Sequence, residues 1–332
     1  MKKTHLLFLA LAAVLALAAN GIAAPKFRVA MITDVGGLGD KSFNDAAYDG
    51  LKKLQKNLGA EIKVIESKKM EDYVPNLKSL ADQKFDLIWA IGFLTKSSME
   101  EVAKMYPNQK FGMIDDFIAL PNVVSVLFKE EEGSFLVGVI AGTDSKKGTV
   151  GYIGGMDFPL IRKFEAGFKA GVKAANPKAT IRSAYVGAFD NPAKAKELAA
   201  AQFTLGADVI YHAAGGSGLG VINAAKERGE GYWAIGVDKC QHGEGLSGKR
   251  NAVLACMIKR IDNAIFKVSA DAMKGIFKGN TRIELGLAED GVGYCAAAKK
   301  TASTKAIKAA EAYKARIIAE QIKVPTDPKL VK

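Results

Sequence analysis

Carboxylates, an amide and an aromatic ring crowd one glycine-rich stretch near the start of the chain, Asp34-Val-Gly-Gly-Leu-Gly-Asp-Lys-Ser-Phe-Asn-Asp45. Ionised carboxylates accept hydrogen bonds from hydroxyls and amines, a side-chain amide bonds in both senses, and an aromatic face stacks on a flat ring. Further residues of these types follow at Phe93, Asp115, Asp116, Asp157, Phe189, Asp190, Asp238 and Gln241, with a second glycine turn at Gly215-Gly-Ser-Gly218. This is the chemistry of holding a neutral polar ligand. Catalysis is poorly provided for. The three histidines, His5, His212 and His242, stand in no metal-binding spacing, and no Gly-x-Ser-x-Gly elbow occurs, although Gly215-Gly-Ser-Gly-Leu approaches one by displacement. Asp115 and Asp116 cannot flank a substrate as an acid/base pair, because neighbours on a strand point to opposite faces.

The first glycine turn invites a phosphate-loop reading through its Lys41-Ser42, but Asp40 stands where the glycine before the lysine belongs and puts a carboxylate where a phosphate would sit. The second turn, Gly-Gly-Ser-Gly-Leu-Gly, is out of register with the dinucleotide fingerprint Gly-x-Gly-x-x-Gly; a tight strand-to-helix turn explains it equally well.

These residues need elements to position them. The apolar run 27–33 reads as a strand and 43–58 as a helix, with Ser42 as its cap and Asp45 three residues on. Phe43, Ala46, Ala47, Gly50, Leu51 and Leu54 make one apolar stripe along that helix; Phe43, at its ligand end, is either ordinary core or part of a site. Strands follow at 61–66, 85–92, 110–115 and 123–129, with helices near 70–83, 95–106 and 131–141. Leu87-Ile-Trp-Ala-Ile91 lacks alternation, as strands buried on both faces do, so the sheet is parallel and covered on both sides. A weak internal repeat begins at 149–156: Phe43-Asn-Asp-Ala-Ala-Tyr-Asp-Gly50 and Phe164-Glu-Ala-Gly-Phe-Lys-Ala-Gly171 place Phe, an aromatic and Gly at matching offsets. The second copy runs through strands 180–186, 208–214 and 232–237 and helices 192–204 and 219–228. Strands 252–259 and 281–286 and helices 262–278 and 303–322 complete the lobes and make the chain cross between them more than once. The fold class is α/β, two lobes of mostly parallel sheet flanked by helices, with ligand chemistry gathered where strand C-terminal ends face a shared crevice.

Met1-Lys-Lys-Thr-His followed by the apolar run Leu6 to Ala19 reads as a secretory signal, cleaved near Ala24, so that residues 1–23 are a signal peptide. No cysteine adjoins that junction, and the mature product is expected to be soluble, exported and not lipid-anchored. Losing Lys2 and Lys3 lowers the formal net charge from +12 to about +10. The lysines are scattered over helix faces without interleaved aromatics, which argues for solvated surface and against a nucleic-acid partner. Cys240, Cys256 and Cys295 permit one disulfide and leave a thiol over.

Taken together, Gly39-Asp-Lys-Ser-Phe-Asn-Asp45, Gly154-Gly-Met-Asp-Phe-Pro159, Arg162-Lys-Phe-Glu-Ala-Gly-Phe-Lys-Ala-Gly171, Ala214-Gly-Gly-Ser-Gly218 and Ile235-Gly-Val-Asp238 resemble the basic membrane protein (Bmp) family, substrate-binding components of ABC importers similar to the purine nucleoside receptor. The resemblance spans the mature chain. It implies a periplasmic-binding-protein fold of type I with three crossovers, a first lobe of 27–127 with 240–279, and a second of 128–239 with 280–332. It further implies a periplasmic monomer that needs no cofactor or metal, closes on a purine nucleoside and delivers it to an inner-membrane permease. Matched motif to motif, Asp34, Phe43 and Asn44 fall on the first loop, Asp115 on the next strand end, and Asp238 and Lys259 toward the ribose; Gly215 and Gly216 of the later glycine turn join the ligand-binding set, and Phe189, which ends a second-lobe strand, is the candidate for the second stacking ring that the match itself does not place. Where members often read Gly-Val-Asp-x-Asp-Gln this chain has Cys240 in place of the second Asp, and Cys256 replaces a common Ser; either the ligand differs or these two cysteines form a disulfide. Rival readings are a sugar or signalling-molecule receptor subunit and a periplasmic nucleoside hydrolase acting through Asp115 or Asp238. A transcription regulator of the same fold is disfavoured, since a signal peptide replaces the helix-turn-helix.

Overall fold

A computed structural model describes residues 26–331. The expected signal peptide lies outside the described residues. Two six-stranded sheets carry the fold, each flanked by helices.

The first sheet is built from β1 (Arg28–Ile32), β2 (Glu61–Ile65), β3 (Leu87–Ile91), β4 (Phe111–Ile114), β5 (Val123–Phe128) and a late strand, Thr281–Leu285, in the order β2-β1-β3-β4-β5 with the late strand at the edge. All its pairings are parallel. Every residue of β3 is buried, as its unbroken apolar run requires of a central strand. The second sheet repeats the plan with β6 (Thr149–Gly154), β7 (Thr180–Tyr185), β8 (Val209–Ala213), β9 (Trp233–Gly236), Val253–Lys259 and the short Val292–Tyr294, in the order β7-β6-β8-β9 followed by the last two; only the final pairing is antiparallel.

The expected lobe boundaries differ from these sheets in two places. Val253–Lys259, assigned by resemblance to the first lobe, runs parallel to β9 in the second sheet with Val253 beside Ala234 and Cys256 beside Gly236. Thr281–Leu285, assigned to the second lobe, pairs with β5 in the first sheet, Thr281 beside Val124 and Leu285 beside Phe128. The apolar strand 253–259 needs cover on both faces, which the position beside β9 gives it, whereas 281–285 alternates in exposure as an edge strand does. The chain therefore crosses between lobes at 128–130, 259–261 and 286–292. Three crossings form a hinge.

Helix α1 (Phe43–Leu58) has the bounds its apolar stripe predicts and buries Ala46, Ala47, Gly50, Leu51 and Leu54. The internal repeat has a packing reason. A Cβ on Gly50 would lie 2.8 Å from the carbonyl of Asp262 on the helix Ile261–Met273, and one on Gly171 would lie 2.0 Å from the carbonyl of Phe135 on the helix Glu130–Asp144. In each lobe the glycine lets a neighbouring helix approach to backbone contact. The helix Glu130–Asp144 is buried on nearly all sides, which suits its lack of a polar face beyond the first turn. Among the described residues no helix is long and apolar enough to cross a membrane.

Candidate functional site

The C-terminal ends of both sheets converge on one cleft, and all nine residues predicted from the sequence line it: Asp34, Phe43, Asn44, Asp115, Phe189, Gly215, Gly216, Asp238 and Lys259. Gly36, Asp40, Gly92, Phe93 and Phe164 line it too and were absent from that set. Phe164 was legible as the repeat partner of Phe43. Of the other strand-end candidates, Asp116 turns away to pair with Lys96 at 2.7 Å, Asp157 pairs with Arg162 at 2.6 Å, and Asp190 is exposed.

Asp40 explains why the first loop is no phosphate site. Its carboxylate accepts from the backbone N–H groups of Ser42, Asn44 and Asp45 at 2.9, 2.8 and 3.1 Å, so the protein supplies its own anion at the start of α1. This corrects the expectation that Ser42 caps the helix. Ser42 makes no capping bond; its hydroxyl donates to Asp238 Oδ2 at 2.6 Å, across the cleft. Asp45 braces the loop by accepting from Gly39 N and Lys41 N.

Asn44 donates through Nδ2 to Asp34 Oδ1 at 2.8 Å, and Asp34 also accepts from Gly36 N at 2.9 Å. The other end of the Asn44 amide, Oδ1, is buried without a partner and is available to a ligand donor. Burial pushes the Asp34 carboxyl up to about 6, with the hydrogen bonds from Asn44 and Gly36 pulling the other way. Asp115 and Asp238 both hold left-handed backbone, at φ 75° and 63°. Asp tolerates that conformation better than most residues, and it turns each chain sharply as it leaves a strand. Burial raises Asp238 to about 7, against the opposing effects of Lys259 and the Ser42 hydroxyl.

Lys259 is 2% exposed and sits at the second crossing. Its ammonium lies 2.6 Å from the Asp115 carboxylate and 3.0 Å from Glu130 Oε1, and within 5.2 Å of the Phe43 ring centroid. Burial works against its charge, but the carboxylates of Asp115, Glu130 and Asp238 outweigh it and hold the ammonium above its ordinary range. Glu130 is shared with Lys163, 2.6 Å away. Lys259 thus touches Asp115 and Glu130 directly and offsets the charge of Asp238 through its field.

The aromatic rings come from both sides. Phe93, following β3, packs against Phe158 and Phe189 of the second lobe at centroid distances of 5.2 and 6.3 Å. Phe43 and Phe164 flank Lys259 from opposite lobes. The turn Gly215–Ser217 is fixed by Ser217, which donates from N to Phe189 O at 2.8 Å and from Oγ to Ala188 O at 3.0 Å; a Cβ on Gly216 would come within 3.6 Å of Asp40 Cβ. His212 is fully buried and lies outside the set that lines the cleft, and burial depresses it to about 4, which keeps the imidazole neutral.

The family is settled by the sequence as a whole. Residues 27–328 match the family described as ABC transporter substrate-binding protein, PnrA-like. The chain belongs to that family. It is 41% identical over 318 residues to a CD4+ T-cell-stimulating antigen of Listeria monocytogenes, covering 91% of this chain and 89% of the relative. It is 34% identical over 281 residues, 80% of each chain, to the ABC transporter nucleoside-binding protein BmpA of Lactococcus lactis. In structure it resembles an ABC transporter solute-binding protein from Aeropyrum pernix, with TM-score 0.83, 29% identity and coverage of 92% and 95% of the two chains. The fold is thereby that of type I periplasmic binding proteins, as the α/β reading anticipated, and the family is one of solute binding with a small-molecule ligand and a transporter as partner.

The cysteines depart from expectation. No disulfide joins Cys240 to Cys256; all three are free, and their sulfurs turn toward Nδ1 of His242 and not toward one another in a pair.

Proposed function

We propose that the cleft binds a nucleoside of the purine class and that the protein, exported as a periplasmic monomer free of lipid, delivers it to a permease in the inner membrane. The observation that carries this reading is a cleft combining apposed aromatic rings with buried acceptors: Phe43, Phe93, Phe164 and Phe189 beside Asp34, Asp115, Asp238 and the unpartnered Oδ1 of Asn44. Rings stack on a base, and a carboxylate accepts both hydroxyls of a ribose diol. The nucleoside-binding relative from Lactococcus supports the same choice of ligand. Phe43 and Phe189 contribute stacking, Asn44 and Asp34 the polar edge of the base, and Asp238 with Lys259 and Asp115 the sugar. Gly215 and Gly216 bring backbone close to the ligand where a side chain would intrude.

The ligand is uncharged in this reading, since several carboxylates and one compensated lysine leave no spare cation for a phosphate. Mass spectrometry of small molecules released from denatured, freshly purified protein is the decisive measurement. A nucleoside recovered intact supports the proposal. A sugar alone, or conversion of added nucleoside to free base during incubation, overturns it.

A further inference from the structure

We propose that Cys240, His242, Cys256 and Cys295 form a tetrahedral metal site for one zinc ion at the hinge side of the second lobe. The sulfurs of Cys240, Cys256 and Cys295 lie 3.5, 3.5 and 3.4 Å from Nδ1 of His242, and the four ligand atoms all fall within 4.8 Å of one another. A zinc ion bound to three thiolates and one imidazole, with Zn–S of about 2.3 Å and Zn–N of about 2.0 Å, puts each sulfur about 3.5 Å from the nitrogen. The observed spacings match that edge length on all three sides.

Hydrogen bonding alone does not account for the arrangement. An unprotonated ring nitrogen has one lone pair and satisfies one S–H, whereas three sulfurs compete for this one. A single cation at the centre satisfies all four groups together. The imidazole is already set in the ligating tautomer: Thr301 Oγ1 donates to Leu254 O at 2.7 Å, which leaves its oxygen to accept from His242 Nε2–H at 3.1 Å and leaves Nδ1 bare. Cys256 Sγ accepts from Gln241 N at 3.1 Å, a contact that holds the sulfur in place beside the imidazole. Three thiolates, one neutral imidazole and Zn2+ carry one net negative charge, and binding releases the three thiol protons to solvent. Lys239 and Lys299 line the same surface cleft as Cys240 and Cys295.

The site has a structural consequence. Cys240 follows Asp238 by two residues, Cys256 precedes Lys259 by three, and Cys295 comes just after the third crossing. A metal there ties together the three segments that deliver cleft residues and crossings to the second lobe.

The test uses the full mature chain, exported to its own compartment and purified without chelator. Zinc is measured by inductively coupled plasma mass spectrometry and thiols by titration with and without a zinc-releasing mercurial. One zinc per chain, three thiols that react fully only as the metal is freed, and a melting temperature lowered by roughly 5 °C or more on chelation support the site. Cobalt reconstitution then gives thiolate charge-transfer bands and the intense red-region absorption of a four-coordinate ion, both lost in Cys295→Ser and His242→Ala. Less than a tenth of an equivalent of zinc in the wild-type chain, or peptide mapping that finds a disulfide between any two of the cysteines, overturns it without reference to the variants.

Discussion

Ser42 Oγ and the Asp238 carboxylate meet at 2.6 Å from opposite lobes, so the residue expected to cap a helix instead latches the cleft. The bond joins the start of α1 to the end of β9, and a second interlobe pair, Lys239 with Asp49 at 2.5 Å, lies beside it. Closure therefore rests on one contact between the loops that line the ligand space and on a second, from helix α1, just outside it.

Removing the latch tests that link. Ser42→Ala deletes one hydrogen bond to a buried carboxylate, a contact of about 1.5–3 kcal/mol, while Asp40 keeps the helix capped. Nucleoside affinity should drop roughly tenfold or more, and small-angle scattering should show a more open average with ligand absent. Calorimetry giving the wild-type affinity would assign closure to other contacts.

The stacking role of Phe43 is tested by truncation. Its ring is half-buried and faces Lys259, so Phe43→Ala should weaken nucleoside binding by about 1–3 kcal/mol while circular dichroism stays native. A folded variant with unchanged affinity returns Phe43 to the core.

Lys259 is the only ammonium in direct contact with Asp115 among the described residues, and it also compensates Glu130. Lys259→Met strands the Asp115 carboxylate in the interior, leaves Glu130 with Lys163 alone, and should cost about 3–5 kcal/mol in urea unfolding. The double variant Lys259→Met with Asp115→Asn should recover part of that loss, because the stranded charge is gone while Glu130 keeps Lys163. Additive losses in the double-mutant cycle would mean that the pair is not coupled.

Asp238 gives a pH signature with a definite sign. Its folded carboxyl titrates at about 7 against an ordinary value of 3.8, so the folded state holds the proton more tightly than the unfolded chain. Its stabilising contribution is complete below about pH 4 and is lost as pH rises through about 7. Asp238→Asn stays neutral throughout and should therefore be more stable than wild type at pH 8, by roughly 1–4 kcal/mol, with the gap closing toward pH 4. Ligand binding should move oppositely: an ionised Asp238 is the better acceptor for a ribose hydroxyl, so wild-type affinity rises between pH 5.5 and 8. A stability gap independent of pH would show that Asp238 is not strained by burial.

Local chemistry made much of this protein legible in one dimension. The stripe Ala46-Ala47-Gly50-Leu51-Leu54 fixed α1, the unbroken run 87–91 fixed a doubly covered strand, and the residue types after each strand marked the cleft, because side-chain periodicity and turn preferences act over a few residues. Nothing local sets which distant groups meet. Ser42 and Asp238 are 196 residues apart, Lys259 and Asp115 144, and the choice of sheet for Val253–Lys259 depends on which edge offers it cover on both faces. The cysteines are the sharpest case: composition permitted a disulfide, yet packing of β9, the strand 253–259 and the segment after Tyr294 turns all three sulfurs toward one imidazole. Sequence determined the pieces and the chemistry at their ends; the close-packed interior alone decided the pairings, since long-range contacts are selected by the shape of the whole core.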